Sequence, residues 1–416
     1  MTNARLWTAL AAASLLLSVP AAVAGDEDVR QAVHDALAAQ LPMVDTETRL
    51  PEVNEHGTGG HGEDKDKAKD GEHKDKDGEH DRKDDGRELL EDPTLPAEFR
   101  AVENWHPTMR AQWGSDGGQS HSDQHRQDML DQFRKIRSEL DAFNPDFVLI
   151  WGDDQYENFR EDCVPAFSIL AYDAVDIRPW QGYRRGRNVW DEPDDKTFTV
   201  KGHRAAGKYL ATALLNEGID IAYAYKPLHD PLGHAFANSV LFLDYDRTGF
   251  PYPVVPFAVN AYGRLLIAAR GAPRRAAEAH GRIPEAESDF DPPSPQPWRC
   301  FDVGAATARA LERSPWRVAI IASSSWSHAF LVQKHAMMFP DVAADKRYYA
   351  ALQNGDHELW RNTTLAEIED RGHHELLNWF CLVGAMHALG RARPDESVFL
   401  ESWITNSDKV FAVYRP

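Results

Sequence analysis

The sequence predicts an α/β protein, on two observations. Short apolar strands alternate with helical segments along the second half of the chain. Several of those strands run straight into loops rich in His, Asp, Ser and Glu, and the carboxyl ends of strands are where α/β folds place their ligand sites. A chain of 416 residues, 42% hydrophobic and 10% aromatic, has the material for one large or two ordinary domains.

The elements follow in order. A polar stretch with helical period, "HRQDMLDQFRKIRSELDAF", leads through Asn144-Pro145 into the strand "DFVLIWG". Helical "GHRAAGKYLATALLNEG" precedes "DIAYAY" and the strand "YPVVPFAV". After a Pro-rich loop come the helix "VGAATARALERS" and the strand "RVAIIASSS"; helices dominate from about 345 to 390, and "KVFAVYR" closes the chain.

The N-terminal region has a different character. Arg5 precedes "LWTALAAASLLLSVPAAVA", and Ala22-Val23-Ala24 supplies a small-x-small cleavage site, so residues 1–24 read as a secretory signal peptide. The competing reading is an apolar first element of the mature fold. The leader implies a periplasmic or secreted protein, or a cytoplasmic one should the true start lie elsewhere. Residues 25–88 read as a charged linker: from His61 to Gly86 no apolar residue exceeds alanine, which leaves too little apolar surface to offset ordering entropy. Its Gly71-Glu72-His73 and Gly78-Glu79-His80 could loosely capture a metal, although a solvated linker is the simpler reading. Residues 89–416 form the globular domain.

A net charge of -20 argues against a nucleic-acid partner. No segment after the leader reaches the ~20 apolar residues of a membrane span. Cys163, Cys300 and Cys381 are widely spaced without a CxxC pair, which suits buried free thiols better than a disulfide framework or a zinc ribbon.

Three loops carry candidate chemistry: "GDDQYENF"; "KPLHDPLGHAF", with His229, Asp230 and His234; and "SSSWSHAF", with Ser323 to Ser325 and His328. A fourth candidate is Glu375. "HHELLNWFCLVGAMHAL" is apolar on nearly every face, so it predicts a buried helix, with Glu375 on the side of Trp379, Leu382 and Met386. A buried carboxylate needs a cation or metal; an exposed first turn would need neither.

These blocks, with "YPVVPFAVN", "PPSPQPWRCFDVGAATARALE" and "TNSDKVFAV", resemble the class III extradiol ring-cleavage dioxygenases, the catalytic-subunit family of protocatechuate- and gallate-cleaving enzymes, from about Asp92 to Pro416. The resemblance implies a central mixed sheet flanked by helices. It also implies non-haem Fe(II) held by two histidines and a glutamate, and extradiol cleavage of a catecholic ring. The partners would be a small aromatic diol and O2, and a homo-oligomer is compatible with it. By position, Glu375 corresponds to the carboxylate ligand and His328 to the acid-base histidine. His234, and less closely His229, corresponds to the histidine of the central loop.

Two departures stand out. Where the family has an iron-binding histidine after an aspartate, Asp154 is followed by Gln155, whose amide oxygen is a weaker ligand than imidazole. Asp154, Gln155 and Glu375 are therefore the expected metal-ligating set. The family's first histidine ligand has no counterpart: His106-Pro107-Thr108 is similar to its motif but falls in a later stretch, and His61, His73 and His80 lie in a tract too flexible for a preorganised ligand. An exported homologue that binds a metal or an aromatic ligand without turnover is the alternative reading. A serine hydrolase built on Ser325 or Ser327 with His328 lacks the Gly-x-Ser-x-Gly elbow.

Overall fold

The computed structural model describes residues 8–12, 97–181, 188–272 and 274–416. The tract read as a linker, with His61, His73 and His80, lies outside the described residues, as does the leader apart from Thr8–Ala12.

Ten strands occur among the described residues. In chain order they are β1 (Thr8–Ala12), β2 (Phe147–Asp153), β3 (Phe167–Leu170), β4 (Ala174–Ile177), β5 (Phe198–Lys201), β6 (Ala222–Ala224), β7 (Val254–Val259), β8 (Val318–Ser323), β9 (Glu396–Leu400) and β10 (Lys409–Tyr414). The longer helices are α1 (Gln119–Phe143), α2 (Arg204–Asn216), α3 (His234–Leu243), α4 (Pro297–Glu312), α5 (Val342–Asn354) and α6 (Leu377–Ala388). Eight strands make one mixed sheet in the order β6-β3-β7-β2-β8-β1-β10-β9, and β4 pairs with β5 separately. Within it β7, β2, β8 and β1 are mutually parallel, while β3–β7, β1–β10 and β10–β9 pair antiparallel.

Helices cover both faces, and the period-2 geometry of the strands divides the core between them. Phe147, Leu149 and Trp151 of β2 and Val318, Ile320 and Ala322 of β8 pack in one cluster with α4 and α6. Val148, Ile150, Ala319 and Ile321 pack in the other with α1 and α3. Helices α4 and α6 meet almost backbone to backbone. A Cβ at Gly304 would lie 1.8 Å from the Cys381 carbonyl oxygen, and one at Gly384 would lie 2.0 Å from that of Phe301. Cys300 and Cys381 are buried free thiols at this crossing, and Cys163 is exposed.

The expected α/β architecture and its mixed sheet flanked by helices are present. The structure adds what local pattern did not show. Thr8–Ala12, inside the stretch read as a leader, lies between β8 and β10, with Ala12 beside Ser323. The loop read through "LGHAF" turns into α3 at His234, and β3, β4, β5 and β9 were not foreseen.

Candidate metal centre

Three parallel strands, β2, β7 and β8, end at one edge of the sheet, and the site is built there. Asp153 is the last residue of β2, in phase with Phe147, Leu149 and Trp151, so its carboxylate falls on the α6 face. Gly152 faces the other way: a Cβ there would lie 2.8 Å from the Phe236 ring and 2.9 Å from the Ala235 Cβ, so glycine lets the start of α3 close on the strand. His234 is the first residue of α3, and Glu375 lies in a short 3-10 turn leading into α6. Asp153, His234 and Glu375 are buried, and each offers one ligand atom within 4.8 Å of the other two.

Glu375 is fully buried, not in an exposed first turn. Its Oε1 accepts from Gln155 Nε2 at 3.0 Å and from the Tyr262 hydroxyl at 2.9 Å, and lies 2.7 Å from His328 Nε2. The other oxygen accepts the Ser325 backbone N–H at 2.6 Å. Burial pushes this carboxyl up, but the His328 charge and hydrogen bond, with His234 further off, outweigh it and hold the group at about 2. Asp153 goes the other way: burial, then the Glu375 charge, push it well above the usual carboxylate range. Their surroundings thus push the two buried carboxyls in opposite directions.

His234 is set by Glu157, whose Oε2 lies 2.8 Å from the ring Nδ1 and 2.9 Å from the backbone nitrogen. Burial lowers the imidazole, and the Glu157 charge and hydrogen bond reverse this and raise it to about 9. With Nδ1 on Glu157, Nε2 faces Asp153 Oδ2 at 3.9 Å. A carboxylate behind the imidazole of a metal site fixes the ring in this way.

Asp154 is a correction. Its carboxylate accepts the backbone N–H groups of Glu157, Asn158 and Phe159 at 3.1, 2.7 and 3.4 Å, which folds 154–159 into a tight loop. Its neighbour Asp153 enters the cluster instead. Gln155 does reach the site, but with its amide nitrogen: Nε2 donates to Tyr262 at 2.6 Å, Glu375 at 3.0 Å and Asp153 at 3.3 Å. It ties the two carboxylates together, and the residues that come together as a possible metal site are Asp153, His234 and Glu375 rather than the expected Asp154, Gln155 and Glu375. Tyr156, next in the chain, has φ +69°, a strained value for an aromatic residue beside a functional group.

The other candidates separate clearly. His229 pairs with Asp162 at 2.6 Å on the exterior, away from the cluster. Ser327 donates to Asp345 at 2.5 Å rather than to His328. His106 caps the helix Pro107–Trp113 and stacks on Trp403 at 4.1 Å. Asp153 could have been found from β-strand phase; Glu157, Tyr262, Asn378 and Asn406 carry no local signal.

The donor set suits a divalent cation. Asp153 is wholly buried, yet its hydrogen bonds from Gln155 and Asn378 are long, at 3.3 and 3.5 Å. The Asn378 side-chain oxygen is buried without a partner among the described residues. Two carboxylates and an imidazole match metals that take O and N ligands, though with one histidine where the resemblance implied two.

Residues 291–411 match the family described as the catalytic LigB subunit of aromatic ring-opening dioxygenase. Similar proteins include a 2,3-dihydroxyphenylpropionate/2,3-dihydroxicinnamic acid 1,2-dioxygenase of Burkholderia vietnamiensis, 27% identical over 275 residues, which span 62% of this chain and 80% of that protein. One of the same name from a Rhodococcus species is 24% identical over 293 residues, 65% of this chain and 86% of its own. A 2,3-dihydroxyphenylpropionate/2,3-dihydroxicinnamic acid 1,2-dioxygenase 2 of Pseudomonas putida is 30% identical over 140 residues, 32% of this chain and 38% of its own. Sequence blocks and these relatives agree in their likeness: residues 291–411 match a catalytic LigB-type domain, and a longer stretch of the chain is similar to extradiol dioxygenases, with a candidate metal cluster that departs from the two histidines and a glutamate that the resemblance implied.

Proposed function

We propose that the chain is a metal-dependent dioxygenase that opens a catecholic ring beside its diol. The observation that supports this reading is the buried cluster of Asp153, His234 and Glu375 at the strand edge with His328 against Glu375. These three residues would hold the metal, and we propose Fe(II) for it. Bound there, such an ion supplies Lewis acidity toward a vicinal diol and electrons toward O2.

The protein's own part is positional. His328 Nε2 is the atom that takes a hydroxyl proton from the diol and returns it later. Glu157 holds the His234 ring, and Gln155 and Tyr262 hold the Glu375 carboxylate. Tyr262, Leu266, Leu331 and Ala261 form an apolar cluster with Tyr156 and Phe330, a surface suited to an aromatic ring and to keeping water out. The substrate class is an aromatic vicinal diol, as named for the relatives.

Oxygen uptake by the Fe(II)-loaded protein, across catechols that include 2,3-dihydroxyphenylpropionate, tests the reading. We expect uptake with stoichiometric ring opening; none, with iron shown to be bound, overturns it. The single histidine of the cluster, and the amide nitrogen of Gln155 facing the carboxylates, favour a second reading: a protein that binds metal or an aromatic ligand without turnover. Calorimetric binding of a catechol without product supports the second reading, and turnover excludes it.

A further inference from the structure

We propose that the outer edge of β6 is the twofold contact of a homodimer, where the sheet continues antiparallel into a second copy of this chain. β6 ends the sheet order: one side of it bonds to β3, and among the described residues no strand lies beyond the other. The Ala224 carbonyl accepts the N–H of Ala171 at 2.8 Å, which turns Ala224 toward β3. Backbone groups alternate in direction along a strand, so Tyr223 points its N–H and C=O at the open edge. The side chains there are large and apolar, with Tyr223 52% exposed, Tyr225 40% and Leu228 72%. The opposite edge of the sheet is guarded. Glu396 of β9 pairs with Lys135 and Arg415, and such charges keep an edge strand from pairing further. β6 itself carries neither a charge nor a proline.

The occupant is fixed by the sequence around β6, which complements itself when reversed. In Asp220-Ile221-Ala222-Tyr223-Ala224-Tyr225-Lys226, an antiparallel pairing centred on Tyr223 sets Tyr223 opposite its own copy. The same register sets Ala222 opposite Ala224, Ile221 opposite Tyr225 and Asp220 opposite Lys226. The two copies of Tyr223 exchange both backbone bonds as a hydrogen-bonded pair, which the outward direction of these groups requires. Facing aromatics and opposite charges are the cross-strand pairs that stabilise a ladder, and Asp220 and Lys226 are both exposed. The ladder is short, because Arg204 Nη2 donates to the Tyr225 carbonyl at 3.2 Å and ends it there. A contact that uses the same patch on both copies closes at two and leaves no edge for a third.

Sedimentation equilibrium of the full chain across a concentration series tests this, whatever reaction the protein performs. The wild type should sediment as a dimer. Asp220→Lys sets like charges opposite each other on both sides of the axis, as does Lys226→Asp. Each should weaken dimerisation by about 10-fold or more. The double variant, Asp220→Lys with Lys226→Asp, restores opposite charges and should recover the dimer. Mixing the two single variants should yield a heterodimer, since every facing pair is then opposite in sign, and this also shows that both variants fold. Tyr223→Lys places like charges on the axis itself and should leave a monomer. A monomeric wild type, a dimer unmoved by the single reversals, or a double variant as weak as the singles overturns the proposal.

Discussion

Glu375 accepts three side chains and one backbone amide and stays ionised at full burial, because each donor offsets part of the cost of desolvating a charge. Asp153 has only long contacts, and burial beside the Glu375 charge favours its neutral form, a balance that a bound cation would reverse. Glu157 touches neither, yet it decides which nitrogen of His234 faces Asp153. Glu157→Gln should weaken divalent-metal affinity by about 10–100-fold, as losses behind a ligand commonly do. Metal titration against a competing chelator checks this, and an unchanged affinity would remove His234 from the site.

At the scale of elements, β-strand phase explains why Asp153 and not Gly152 faces α6, and helix phase places Glu375 with Trp379, Leu382 and Met386 in the core. Residue spacing put Glu375 on the side of Trp379, Leu382 and Met386 but left its burial open, and it did not single out Asp153. The start of α3 was not legible, because Pro231-Leu232-Gly233 looks like loop until tertiary contacts extend the chain into a helix. The apolar stretch near the N-terminus is the hardest case. A leader's apolar region and a buried strand have the same composition, and only the neighbours β8 and β10 distinguish the second use. A chain starting after Ala24 lacks β1, and with it ladder bonds to both neighbours. Its stability in urea denaturation should fall by about 3 kcal/mol or more. Equal stability would show that β1 is dispensable and would favour a cleaved leader.

Across the whole molecule, buried polar groups tie distant segments together. Asp345 binds Ser327 and His373, which fastens α5 to the His328 loop and to the approach to Glu375. On the far side, His125 of α1 is buried with Nε2 unpartnered among the described residues. Burial, then Lys409 and His121, hold its imidazole down to about 3 against an ordinary value of 6.5. The unfolded chain therefore takes up this proton near 6.5 while the folded one refuses it, so stability falls as pH drops from 6.5 toward 3. The slope from this one group is up to about 1.4 kcal/mol per pH unit. His125→Phe should flatten that decline in urea denaturation between pH 7 and pH 4.5, and an unchanged slope would assign the acid sensitivity elsewhere.

The sequence by itself determined the α/β class, the strands that end at the site, the buried helix behind Glu375 and the resemblance to the extradiol dioxygenases. All of these rest on local periodicity or on blocks of residues read in order. It also brought forward His234, His328 and Glu375. Only the tertiary structure chose Asp153 over Asp154, separated His234 from His229, turned Gln155 by its nitrogen toward Glu375 across 220 residues of chain, and delivered Asn406 to His328. The reason is physical. Periodicity reports which face of an element a side chain occupies, whereas the partner it meets there depends on loop backbones and helix packing that no short stretch of sequence encodes.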